Sequence, residues 1–312
     1  MLIIPKSYEP RAKTDFNMLE REKIIDFIKD ALNEDIGKLD LTTTFLIPSQ
    51  AMIKADIIAN SKGIVAGLPL IETLYSLLDR NIRIKFNIDE GEDIEPGKAV
   101  CYIEGAATSI LKGERVSLNL LSHTSSIATT TKRYVDKVRP YNVEIYDTRK
   151  TTPNMRYIEK YAVRIGGGRN HRMGLYDQIL IKDNHLAILN ELKQKAKSKN
   201  SSVIVDSINI AKKRAQKNIK VEVEVKDIAE FEEALSTDVD IIMLDNMSPN
   251  EIKEAVKIRN SSGSKGRHVI LEASGNITLD NVEEYAKTGV DRISVGAITH
   301  SPERIDFSLE VI

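Results

Sequence analysis

VEVEVKDIAEFEEALSTDVDIIMLDN, residues 221–246, holds two short apolar strands, VEVEV and DIIMLD, separated by a helical segment. The same rhythm extends in both directions, through VEIYD at 143–147 and QILIK at 178–182 before it, and HVILEA at 268–273 and DRISVG at 291–296 after it. Short apolar strands alternating with helical or loop segments predict parallel strands with crossovers, hence a βα barrel or an open doubly wound sheet. The strands run out into polar tips: Asp147-Thr148-Arg149-Lys150, Lys182-Asp183-Asn184-His185, Glu224, Asp245-Asn246, Glu272-Ala273-Ser274-Gly275 and Ser294-Val295-Gly296. A barrel places its active site at the carboxyl ends of its strands, so these tips are expected to converge on one mouth.

Upstream the pattern differs. Asn17 to Glu34 reads as an amphipathic helix with Ile24, Ile28 and Leu32 on one stripe. Ala51 to about Gly105 reads mainly as antiparallel sheet (MIKADIIA, GIVAG, the alternation Ile82, Ile84, Phe86, Ile88, and AVCYIEG), with a helix from Leu70 to Leu78. Thr108 to Val138 reads as a long helix joining two domains, interrupted or continuous, with Leu111, Leu118, Leu121 and Ile127 toward the core and Arg115 on a more polar side.

Charge is concentrated between Asp147 and His185, where Arg149, Lys150, Arg156, Lys160, Arg164, Arg169, His171, Arg172 and Lys182 surround the triple glycine 166–168. The whole chain of 312 residues carries 45 Lys+Arg against 46 Asp+Glu, so the cluster is local. This fits a pocket for a small polyanion rather than a nucleic-acid surface, which needs a broad basic face and usually stacking aromatics; Phe, Tyr and Trp make up only 5% here. A single cysteine, Cys101, excludes an intrachain disulfide and a thiolate metal site. With no signal-like leader and no apolar run of membrane-spanning length, a soluble cytoplasmic protein without membrane or nucleic-acid partners is expected.

Several arginines in one mouth imply several anionic groups, since each charge-assisted bond from a guanidinium contributes roughly 1.5–3 kcal/mol. Lysines at strand ends suit phosphate as point charges, and the acidic tips Glu224 and Asp245 suit a Mg²⁺ bridging phosphates or ribose hydroxyls. Ser274-Gly275 and the turn Ser294 to Gly296 lie where barrels place a phosphate site.

These motifs, EDIGKLDLTT at 34–43, GERVSLNLLSHTSSIAT, DTRKTTP, EKYAVRIGGGRNHRMGLYDQILIKDNH, VEVEV, IIMLDNMSP, LEASGNI and GVDRISVGAITHSP, resemble the quinolinate phosphoribosyltransferase family over nearly the whole chain. The resemblance implies an α/β fold: an N-terminal α/β sandwich with mainly antiparallel sheet (1–120, joined by 301–312), then an incomplete, TIM-like α/β barrel (121–300) carrying catalysis. It implies transfer of the phosphoribosyl group of phosphoribosyl pyrophosphate to quinolinate with decarboxylation, giving nicotinate mononucleotide, pyrophosphate and CO₂, assisted by Mg²⁺. By the same resemblance Arg149, His171 and Arg172 bind the quinolinate carboxylates, and Arg115 reaches the site from a second subunit of a homodimer or of a larger assembly of dimers. Lys150 and Lys182 face pyrophosphate, Glu224 and Asp245 surround the ribose hydroxyls and Mg²⁺, and Ser274, Gly275, Asn276, Ser294 and Gly296 form the 5-phosphate loops. Asn276, Ser126 and Leu39 stand where the family commonly has glycine; Asn tolerates positive φ, so the loop is expected to survive the first of these changes.

Plainer readings apply elsewhere. The charged runs 193–202 and 261–267 read as solvated faces, and His123, His268 and His300 as structural. Arg156, Lys160 and Arg164, spaced about four apart around Glu159, read equally as surface or as part of the basic cluster, and His185 as structural or functional. Rival functions are a paralogous phosphoribosyltransferase acting on another heteroaromatic acid, and a carrier domain suggested by DEGEDIEPGKAVCYIEG. Arg115, Arg149, His171 and Arg172 together favour the dicarboxylate, and the carrier lacks its lysine hairpin.

Overall fold

The computed structural model describes residues 18–195, 202–263 and 268–312; Asn17, the expected start of the first helix, and parts of both charged runs lie outside them. The chain forms two compact units, one of residues 18–132, Thr151–Gly167 and Ile298–Ile312, the other of Arg133–Lys150 and Gly168–Ala297. This differs from a division at 120/121. Helix Ala107–Val138 is one uninterrupted element, so most of it stays with the first unit. Thr151–Gly167 joins that unit because Ile158, on helix Arg156–Ile165, is buried in its apolar core.

In the first unit, β1 (Met52–Ala59), β3 (Arg83–Phe86), β5 (Ala99–Ala106) and β12 (Phe307–Val311) pair antiparallel in the order β12-β1-β5-β3. Alternation sends Ala55, Ile57, Ala59, Cys101 and Ile103 into a core with Ile24, Ile28 and Leu32 of helix Met18–Ile36 and Leu70, Ile71, Leu74 and Tyr75 of helix Leu68–Leu78. GIVAG is strand only at Gly63–Ile64, which pairs with Asp93–Ile94. Its last glycine instead starts the helix at Leu68: Gly67 has φ +107°, and the partly buried Glu90 carboxylate accepts from the Gly67 and Leu68 N–H groups at 2.6 and 3.0 Å. Ser126 ties the long helix to the C-terminal segment, accepting from the Ile305 N–H at 2.8 Å and donating to the Ser122 carbonyl at 2.7 Å.

In the second unit β6 (Glu144–Tyr146), β7 (Ile179–Ile181), β8 (Val221–Val225), β9 (Ile241–Asp245), β10 (Ile270–Ser274) and β11 (Arg292–Ser294) form a parallel sheet in the order β6-β11-β10-β9-β8-β7. From β7 to β11 each strand lies beside its successor, and β6 closes onto β11. That is the winding of a barrel opened between β6 and β7, and it excludes the doubly wound alternative. The free edge of β6 is met by Arg169, whose N–H donates to the Ile145 carbonyl at 2.8 Å and whose carbonyl accepts from the Asp147 N–H at 3.0 Å.

Register and alternation divide this sheet into two faces. Val221, Val223, Val225, Ile242, Leu244, Leu271, Ala273 and Ile293 are buried and apolar; helices Val203–Arg214 and Ile228–Leu235 pack on that side. On the other face lie Lys182, Glu222, Glu224, Asp245, Glu272, Ser274, Arg292 and Ser294.

Candidate active site

All the strand-tip residues singled out from sequence belong to the second unit and sit at the carboxyl ends of its strands: Arg149 and Lys150 after β6, Lys182 after β7, Glu224 on β8, Asp245 on β9, Ser274, Gly275 and Asn276 at β10, Ser294 and Gly296 at β11. His171 and Arg172 follow the segment bonded to the edge of β6. Arg115 belongs to the first unit, where it is exposed and helps line a cavity of about 520 Å³ with Lys112, Leu39, Leu41 and Thr43.

One side of the mouth is built around Arg172, 8% exposed, whose Nη1 donates to the Gln178 carbonyl at 3.0 Å. Burial lowers its pKa, and the neighbouring positive charge of Arg149 lowers it further. A guanidinium held half-desolvated beside another is stabilised by any anion that comes between them. The backbone here is fixed by buried Asp147, whose Oδ1 accepts from the His171 N–H at 2.8 Å. His171 Nδ1 accepts in turn from the Arg172 N–H at 2.7 Å. On the far side of the ring, His171 Nε2 lies 3.2 Å from Glu222 Oε2 and 3.6 Å from Glu272 Oε1.

The tips from β7 to β10 carry a lysine and carboxylates. Lys182 Nζ is ion-paired with Glu224, its neighbour across β7 and β8, and its backbone N–H is accepted by His185 Nδ1 at 2.9 Å, which gives His185 a structural role. Asp245 stands on the same face as Glu224 and directly opposite Ser274. The β10 tip depends on glycine: Gly275 has φ +96°, and a Cβ there meets Asn246 Oδ1 at 2.2 Å. Asn276 adopts φ 51°, and its amide donates to Asn246 Oδ1 at 3.0 Å, so asparagine takes the left-handed conformation and adds a link across the strand tips.

Beneath the tips is a buried charged layer. Residues two positions earlier on β8, β10 and β11 share the face of Glu224, Ser274 and Ser294, and they are Glu222, Glu272 and Arg292. Arg292 pairs with Glu222 at 3.2 Å and with Glu272, and it lies over the Tyr146 ring at 4.8 Å. Burial, then the nearby Glu222 charge, pushes the Glu272 carboxyl up to about 7; burial likewise raises Glu222, against the pull of Arg292. In the sequence, Asp147 and Glu272 read as polar tips of the mouth with no role of their own assigned, and Gln178, Glu222 and Arg292 as ordinary strand positions. Period-two spacing from Glu224, Ser274 and Ser294 is the signal that finds three of them. The basic cluster itself divides: Lys160 is buried within the first unit, whereas Arg164 is exposed.

An opened α/β barrel with paired guanidinium groups, lysines and carboxylates at its strand ends defines a protein for anionic, phosphorylated small molecules. Residues 127–310 match the model of the quinolinate phosphoribosyl transferase C-terminal domain, and residues 40–125 that of the N-terminal domain. The chain belongs to the quinolinate phosphoribosyltransferase family. It is 37% identical over 295 residues to a probable nicotinate-nucleotide pyrophosphorylase [carboxylating] of Bacillus subtilis, covering 95% of this chain and 94% of that protein. It is 40% identical to a probable nicotinate-nucleotide pyrophosphorylase [carboxylating] of Methanocaldococcus jannaschii, over 94% of this chain and 98% of that protein. The structure of the nicotinate-nucleotide pyrophosphorylase from Francisella tularensis superposes with a TM-score of 0.83 at 35% identity, covering 93% and 96% of the two chains.

Proposed function

We propose that the mouth of the opened barrel transfers the phosphoribosyl group of phosphoribosyl pyrophosphate to quinolinate, releasing pyrophosphate and CO₂ and giving nicotinate mononucleotide. The observation that carries this reading is Arg172, buried to 8% exposure at the strand ends with the positive charge of Arg149 beside it. Quinolinate is a dianion with adjacent carboxylates, which two guanidinium forks match in charge and planarity. His171 stands beside them.

The ring nitrogen forms its bond to C1 of the ribose as the bond from C1 to the pyrophosphate oxygen breaks, and the pyrophosphate leaves with the electron pair. Lys150 and Lys182 face that developing charge. The C2–carboxylate bond then breaks, CO₂ departs, and the electron pair stays on C2 until a proton arrives from solvent. A pyridinium nitrogen next to C2 stabilises that pair, so glycosylation before decarboxylation does much of the catalysis. Ser274, Gly275, Asn276, Ser294 and Gly296 receive the 5-phosphate.

The carboxylates of Glu224 and Asp245 are hard oxygen donors on one face of the sheet, a set that suits Mg²⁺ held by one or two carboxylates and substrate oxygens. When bound, the ion supplies positive charge to the pyrophosphate. Arg115 acts from a second copy of the chain. Its exposure and the exposed Leu41, Phe45 and Leu46 on helix Leu41–Leu46 support this, since apolar patches of that kind are usually covered by a protein partner. Cytoplasmic residence is in keeping with the single, buried Cys101; among the described residues no helix is long and apolar enough to cross a membrane.

The test is turnover with quinolinate or nicotinate in the presence of phosphoribosyl pyrophosphate and Mg²⁺, following CO₂. Quinolinate is expected to react with stoichiometric CO₂; turnover of nicotinate without CO₂ overturns the reading. Subunit sharing is tested by mixing inactive Arg115→Ala and Lys150→Ala proteins. Activity is expected to return as mixed dimers form, and no recovery argues against Arg115 acting in trans.

A further inference from the structure

We propose that Glu159 and His123 are positioning residues for Lys150: the buried Glu159 carboxylate pins the Thr152 peptide, two residues beyond Lys150 in the chain, and the His123 ring holds that carboxylate in place. The inference rests on the reading that Lys150 faces the pyrophosphate of phosphoribosyl pyrophosphate.

Glu159 is fully buried, and a carboxylate taken out of water needs donors around it. It stands in the first turn of helix Arg156–Ile165, where the helix dipole favours negative charge. A glutamate capping that helix in the usual reciprocal way would bond the N–H of Met155, the residue just before it. Glu159 reaches further back. Both its oxygens accept from the Thr152 N–H, each at 3.2 Å, and Oε1 lies 3.0 Å from His123 Nε2. His123 belongs to helix Ala107–Val138, so the carboxylate ties a loop to a second helix of the same unit.

Thr152 is held at its other backbone group too, its carbonyl accepting from the Met155 N–H at 3.1 Å. Thr151 Oγ1 accepts from Arg156 Nε at 2.9 Å. The chain is therefore fixed from the residue next to Lys150 onward. On the preceding side, the Asp147 N–H donates to the Arg169 carbonyl at 3.0 Å, and the N–H of Lys150 itself donates to Thr148 Oγ1 at 3.0 Å. Only Thr148, Arg149 and Lys150 lie between the two restraints. A lysine carries a point charge on a flexible stem, so the place where its backbone is held decides what its ammonium can reach. Fixing that backbone beforehand leaves less to be ordered when a pyrophosphate binds.

An ionised carboxylate only accepts, so His123 Nε2 carries the hydrogen of its bond to Glu159. Glutamine sets its amide near the position of Nε2, and asparagine near that of Nδ1. With Mg²⁺ present, calorimetry is expected to give His123→Gln a phosphoribosyl pyrophosphate dissociation constant within about twofold of wild type. His123→Asn and Glu159→Gln should raise it about fivefold or more, the loss of one hydrogen bond. Quinolinate binding should change by less than about twofold in all three, which also shows that they fold. A double-mutant cycle separates positioning from mere structural damage. In a Lys150→Ala background, Glu159→Gln is expected to raise the constant by less than about a further twofold, since no ammonium remains to be placed. Full additivity overturns the proposal, and so do rescue by asparagine rather than glutamine, an unaltered constant in Glu159→Gln, or equal losses for both ligands. A wild-type protein that binds no phosphoribosyl pyrophosphate sinks the functional reading instead, and so is distinguishable from failure of the inference.

Discussion

The two sheets of this molecule use the same binary pattern to opposite ends. In the first unit, Lys54, Asp56, Tyr102 and Glu104 alternate with buried Ala55, Ile57, Cys101 and Ile103, and the polar side of β1 and β5 stays partly open. In the second, Glu222, Glu272 and Arg292 alternate with buried Val223, Leu271 and Ile293, yet the charged side is as buried as the apolar one. Alternation separates two faces and does not say which faces water. In the parallel sheet, helices take the apolar face, and the polar face must serve as the interior, where every charge requires a partner.

That contrast can be broken experimentally, beginning where the effect is largest. Arg172→Ala removes a desolvated guanidinium and should weaken quinolinate binding by about a hundredfold or more, with phosphoribosyl pyrophosphate binding changed by less than about threefold. Calorimetry with each ligand decides this, and equal losses for both would contradict the division of the pocket. Next, Glu272→Ala leaves Arg292 with Glu222 alone in a buried setting and should cost about 3 kcal/mol of stability. The matching change Glu104→Ala in the antiparallel sheet should stay within about 0.5 kcal/mol. Urea midpoints measured side by side would remove the distinction between the sheets if the two variants proved alike.

Gly275→Ala forces a side chain into a φ of +96° and against Asn246, at a cost of about 1–3 kcal/mol. It should weaken phosphoribosyl pyrophosphate binding more than quinolinate binding, and the reverse order in calorimetry would place the phosphate elsewhere. Asn276→Gly, which keeps the backbone conformation and loses only the link to Asn246, should change stability by less than about 1 kcal/mol.

A pH effect separates the sheets more finely. Glu272, facing Glu222, Arg292, His171 and Ser294, has its pKa raised from the ordinary 4.5 to about 7. A carboxyl raised on folding favours the folded state while protonated. Its contribution is fully present below pH 4.5 and is lost as pH rises through about 7. Glu272→Gln should therefore flatten the fall in stability over that window. Denaturation midpoints at several pH values check this.

Much of the site is legible because chemistry at a strand end is written in residue type. Arg149, Lys182, Glu224 and Asp245 interrupt or terminate apolar runs, and only a few folds gather such interruptions. The layer beneath was not legible in the same way, since Glu222 in VEVEV looks like the solvent side of any strand until the neighbours of β8 are known. Thr151–Gly167 escaped for a related reason. Its sequence lies within the barrel's run of motifs, and only the burial of Ile158 assigns it to the other unit.

By itself, then, the sequence determined the order of the elements, the parallel and antiparallel character of the two sheets, and the polar tips, because these follow from periodicity and from glycine and charge at strand ends. Tertiary structure alone decided which face of each strand became interior, that the barrel opens between β6 and β7, and that the His171 ring lies against Glu222 and Glu272. Those outcomes depend on which strand lies beside which, and a contact between Glu222 and Arg292, 70 residues apart, has no local trace in the chain.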